Sequence, residues 1–80
     1  MTTKTSTQAT TAPGHTTRKV TRYDGTTGYG VHVDGVKVGE VHRYRGRWAW
    51  SVTAPGKYGH GTAAATKTRA AELVATIATR

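Results

Sequence analysis

The chain has 80 residues, 12 Lys and Arg against 4 Asp and Glu, and a formal net charge of +8. That length allows one domain with a small core, and the absence of cysteine excludes both a disulfide framework and a thiolate-held zinc site as supports for it. A charge this one-sided attracts polyanions and argues about partners, not about fold.

In chain order, residues 1–17 (MTTKTSTQATTAPGHTT) are Thr-rich and hold no large apolar side chain beyond the initial Met, so they read as a flexible tail. They contain no apolar stretch of a secretory signal. No segment anywhere approaches the ~20 apolar residues that span a bilayer. The expectation is a cytoplasmic protein with no membrane partner. The domain is expected over 18–80. Arg18–Tyr23 gives a weak strand signal, because Val20 and Tyr23 fall on different faces under period two.

From Tyr29 the pattern strengthens. Tyr29, Val31 and Val33 alternate, and Asp34-Gly35 follows. Asp-Gly between alternating apolar residues signals a two-residue hairpin, since both central positions require positive φ. That turn sets Val33 against Val36 and Val31 against Val38. Arg45-Gly46 marks a second turn, which sets Arg43 against Trp48 and Val41 against Trp50. Strict alternation would place Val38 and Val41 on opposite faces. A bulge at Gly39-Glu40 would bring Val31, Val33, Val36, Val38, Val41, Trp50 and Val52 onto one face.

Residues 54–65 (APGKYGHGTAAA) are broken by Pro and Gly and read as a loop. Thr66 is the expected N-cap of a helix over Lys67–Thr79, whose Ala70, Leu73, Val74 and Ile77 form an apolar stripe. A helix this short is marginal alone, so the stripe must pack on the valine–tryptophan face. The expected class is α+β: a three-stranded antiparallel meander, with an extra N-terminal strand as an option, on one C-terminal helix.

Chemistry is sparse. Asp24 and Asp34 precede glycines, where turn roles explain them, and no two carboxylates or nucleophile–His–acid groups have catalytic spacing. We expect no enzyme and no cofactor. His15, His32, His42 and His60 lack metal-ligand spacing, so no metal site is expected. Gly56, Gly59 and Gly61 lack the Lys-Ser/Thr ending of a phosphate-binding loop.

The strongest constellation lies on the strands. With the valines toward the helix, the other face shows His32, Lys37, His42, Tyr44, Arg47 and Ser51, with Thr53 as an option, and Arg43, Arg45 and Arg47 crowd the second turn beside Trp48. Such a sheet suits the DNA major groove, where guanidinium groups meet phosphates and guanine edges. The plain alternative is a solvated basic face whose aromatics are core. Trp50 reads as core, whereas Trp48 fits either role.

Three strands followed by a helix, with W-A-W-S-V at 48–52, Gly61-Thr62, and T-x-x-x-A-A over Thr66–Ala71, resemble the APETALA-type DNA-binding domain. This fold also occurs at the N-termini of phage-type integrases and in small actinobacterial or actinophage proteins. The V-x-V-D-G-x-x-V-G-x-V stretch from Val31 to Val41 is similar to the latter. The resemblance spans roughly 29–79. It implies a sheet lying in the major groove, with Arg43, Arg45, Arg47 and Trp48 in contact and Lys37 on the middle strand. The chain departs from the family by one extra residue between Gly61-Thr62 and the helix cap, by Ala63 where a large aromatic is usual, and by a first strand without an arginine cluster.

The expected binding set is therefore Lys37, His42, Arg43, Tyr44, Arg45, Arg47 and Trp48, with duplex DNA as partner. The competing expectation is a phage-type module that binds an acidic host protein through a strand edge or Trp48. Oligomeric state is left open.

Overall fold

Each strand pairs with the one before it, and the chain enters its helix only after the sheet is complete. The computed structural model describes residues 14–80. It contains β1 (Thr16–Thr21), β2 (Thr27–Val33), β3 (Val36–Tyr44), β4 (Arg47–Val52), β5 (His60–Ala64) and α1 (Lys67–Ala78). The strands form one antiparallel sheet in the order β1-β2-β3-β4-β5. The α+β class expected from sequence is observed, with five strands. The N-terminal strand exists, shifted to Thr16–Thr21. Of the Thr-rich tail, residues 1–13 lie outside the described residues, and Thr16 and Thr17 open β1.

Both two-residue turns form where expected. Asp34 and Gly35 have φ of 53° and 80°, and Arg45 and Gly46 have 51° and 79°. Positive φ at both central residues marks the hairpin turn whose twist matches the flanking strands. In the β1–β2 turn, Asp24 Oδ1 accepts hydrogen bonds from the Thr26 amide at 3.0 Å and its hydroxyl at 2.7 Å.

The bulge sits one residue earlier than expected. Val33 pairs with Val36 and His32 with Lys37, but Val31 pairs with Gly39, so Val38 is the extra residue. The reason lies on the helix side. A Cβ at Gly39 would run into Val74 Cγ1 and the Ser51 carbonyl oxygen, so this position must be bare where the helix crosses. Val38 stays in the core despite the slip, whereas Val36 is 61% exposed and is not a core residue. Val41 faces Trp50 and Arg43 faces Trp48, as the second turn dictates.

The segment read as a loop contains β5. Gly61 pairs with Trp50, and a Cβ there would press on the Trp50 indole, while one at Gly59 would meet Ile77 Cδ1. The strand thus supplies bare backbone under a large ring, which no alternation of apolar residues announces.

The helix starts where expected, with Thr66 Oγ1 accepting from the Arg69 amide at 3.1 Å, and the Thr79 amide closes it onto the Ala75 carbonyl. Its buried residues are Ala70, Ala71, Val74 and Ala75, while Leu73 and Ile77 are half-buried. The stripe has turned toward small residues because α1 lies close over β3 and β4, with Val74 at the Gly39 gap. Val31, Val38, Val41, Ala64, Ala70, Ala71 and Val74 form the core, flanked by Tyr29, Trp48, Trp50 and Val52. Full burial of one such valine contributes about 1.5–3 kcal/mol, so a core of three or four sets a narrow stability margin.

Candidate nucleic-acid interface

Side chains alternate across a strand, and cross-strand partners share a face. The register therefore sorts the sheet. Arg18, Gly30, Glu40, Ser51 and His60 form one row on the face away from α1. Beside it run Val20, Gly28, His42 and Ala49, then Tyr44 with Arg47. Thr16, His32 and Lys37 complete this open face. His32, Lys37, His42, Tyr44, Arg47 and Ser51 share it, as the sequence predicts.

The expected binding set nevertheless divides. Lys37, His42, Tyr44 and Arg47 lie on the open face, and Arg45 is in the turn. Arg43 and Trp48 pair with each other on the helix side. Sequence reasoning also passed over Arg18 and Arg22. Arg18 reaches the open face through β1, a strand too weakly patterned for its register to be read.

A second division concerns what holds each cation. Arg22 pairs with Asp24 at 3.7 Å, Arg69 with Glu72 at 3.6 Å, and Lys37 with Glu40 at 2.5 Å. Each of those charges has a carboxylate beside it that partly offsets it. Three others rest on aromatic rings: the Arg45 guanidinium lies 5.4 Å from the Tyr44 ring centre, Arg43 5.7 Å from Trp48, and the Lys67 ammonium 4.0 Å from Tyr29. A ring's quadrupole attracts a cation without cancelling its charge. Arg43, Arg45 and Lys67 are therefore positioned and still fully cationic. Among the described residues, Arg18 and Arg47 also have no carboxylate within 4.0 Å.

The floor of the open face is bare along β2. A Cβ at Gly28 would meet Arg22 Cδ at 3.1 Å, and one at Gly30 would meet His32 Cε1 and Lys37 Cε at 3.3 Å. Arg22, His32 and Lys37 thus lie across glycines. Val20, Arg22, Tyr23, Lys37 and Glu40 border a shallow recess there. His32 Nδ1 is buried without a hydrogen-bond partner among the described residues.

Burial, with Arg22 nearby, holds the His42 pKa below the ordinary imidazole value. The hydrogen bonds from Thr26 hold the Asp24 carboxyl below its ordinary value. Among the described residues no group of three His, Asp or Glu could hold a metal ion, and no helix is long and apolar enough to cross a membrane.

No family model matches the chain, and neither the curated proteins nor the solved structures provide a match.

Proposed function

We propose that this chain is a small non-enzymatic DNA-binding protein that grips duplex DNA through its open sheet face and the Arg45-Gly46 turn. The observation that carries this reading is Arg45 itself. It is a non-glycine, non-Asx residue at φ 51°, a left-handed conformation that costs an ordinary side chain about 1–2 kcal/mol. Asp, Asn or Gly would occupy the position more cheaply. The guanidinium there lies against Tyr44 with its charge intact, next to Arg47 on the same face. Backbone strain kept at an exposed arginine points to use of the side chain. The resemblance to APETALA-type domains, in which the sheet enters the major groove, points the same way. Arg18 and Arg47 contact phosphates in this reading, and Lys37 and Arg22 contribute by releasing their carboxylate partners.

Titration of a short labelled duplex, followed by fluorescence anisotropy across salt, tests the proposal. Each phosphate neutralised adds about −0.9 to the slope of log affinity on log salt, so three to five contacts predict a slope of about −3 to −4.5. Absence of any shift at low salt, or an affinity indifferent to salt, overturns it.

A further inference from the structure

The unneutralised cations do not all point one way. Alternation along β1 sends Arg18 to the open face and its neighbour Lys19 to the helix side, paired with Tyr29. Around the second turn, Arg47 is on the open face and Arg43 on the helix side. The helix covers β3 and β4, and its first residue, Lys67, reaches back over Tyr29 on β2. Beside it Lys19 and Thr21 are exposed. This makes a shelf: Lys19 and Tyr29 form the floor, and Lys67, Arg43 and Trp48 border it. The Tyr29 and Trp48 rings lie 6.2 Å apart.

The acids leave this shelf alone. Asp24, Glu40 and Glu72 are each spent on Arg22, Lys37 and Arg69. Asp34 sits in the β2–β3 turn, at the opposite end of the strands from Arg43 and Lys67. The shelf is thus cationic without compensation, whereas on the open face Glu40 offsets Lys37.

One duplex cannot serve both faces. Five strands spaced about 4.8 Å apart make a sheet roughly 19 Å wide. Edge-on, the sheet with α1 packed on it presents its thickness, and the body is 19 Å through its thinnest direction. That is more than the ~12 Å major groove, so the body cannot enter that way with phosphates against both faces. Duplex DNA, with a persistence length of about 150 base pairs, does not fold around so small a body. Resting on the DNA-binding reading above, we propose that the helix-side shelf holds a second duplex, so that one molecule bridges two DNA segments on opposite faces of its sheet.

The test immobilises one duplex on beads and measures recovery of a second, labelled duplex as the full chain is added. The same labelled duplex is titrated alone by anisotropy. Wild-type protein should recover the second duplex. The Lys19→Gln/Lys67→Gln variant should bind a lone duplex within about twofold of wild type yet lose most recovery, because only the shelf's phosphate contacts are removed. Lys19→Glu, at an exposed strand position, provides the same comparison should the Lys67 change unsettle the helix start. The matched Arg18→Gln/Arg47→Gln variant removes equal charge and should weaken lone-duplex binding as well as recovery. No recovery by wild-type protein that demonstrably saturates a lone duplex overturns bridging while leaving DNA binding intact. Undiminished recovery by both shelf variants also overturns it, since bridging would then run through protein–protein contact. Failure to bind the lone duplex overturns the DNA-binding reading itself.

Discussion

The two tight turns of the sheet share a backbone and differ in purpose. Asp34-Gly35 and Arg45-Gly46 agree within a few degrees in φ at both central positions. At the first turn the residue is the one that the conformation favours, and nothing beyond turn formation is needed to explain it. At the second turn the conformation is filled by a residue that resists it, flanked by two more arginines. Equal backbone demand with unequal side-chain fitness separates a structural turn from a functional one, and it does so within a single molecule.

The comparison can be broken at the backbone first. Gly35→Ala and Gly46→Ala each force a Cβ into the left-handed region and should each cost about 1–2 kcal/mol, read as matched losses in thermal or urea unfolding. Unequal losses would mean that the turns differ in more than their side chains.

Exchange of the first residues sharpens it. Arg45→Asp should leave stability unchanged or raise it by up to about 1 kcal/mol, because Asp tolerates this conformation. The same change should lower duplex affinity about tenfold at low salt, since it replaces attraction by repulsion at one phosphate. Asp34→Arg should do the reverse to stability, and change affinity less than about threefold because its end of the sheet carries no cation cluster. An affinity drop at Asp34 as large as that at Arg45 would sink the distinction.

The smallest effect is in pH. With its pKa held below the ordinary value, His42 is neutral in the folded protein over a range where the unfolded chain already binds a proton. Its contribution to stability is full above about pH 6.5 and declines as pH falls through the window below that value. His42→Gln should flatten this part of the stability profile by a fraction of a kcal/mol. In duplex binding, nearby phosphates favour the imidazolium, so wild-type affinity should rise from pH 7.5 to 5.5 more steeply than that of the variant.

Much of the frame was legible because it rests on strong local rules. Asp34-Gly35, Arg45-Gly46 and the Thr66 cap have few competing conformations, and the turns alone fix which residues of β3 and β4 share the open face. The missing parts obey other rules. In β5, Gly61 makes room for Trp50, so the strand is marked by an absent side chain. Gly39 does signal the neighbouring bulge, but the need for a bare position comes from Ser51 and from the helix residue Val74, 35 positions away in the chain. The division of the candidate site follows from the second turn, whose register was legible. Pairing with Trp48 and Tyr44 sends Arg43 and Arg47 to opposite sides, whereas Arg18 was hidden because β1 carries too little pattern to fix its register. The ion pair of Lys37 with Glu40 was equally out of reach, because the linear string does not show which side chains the bulge brings together.

The order β1-β2-β3-β4-β5 has a temporal meaning as well. Every ladder joins neighbours in sequence, so each hairpin can zip as soon as its second strand leaves the ribosome, without waiting for distant chain. The helix that shields Val31 and Val41 is made last. The apolar side of the sheet is thus closed only when α1 docks, and any state with the strands paired but the helix undocked exposes Val31 and Val41.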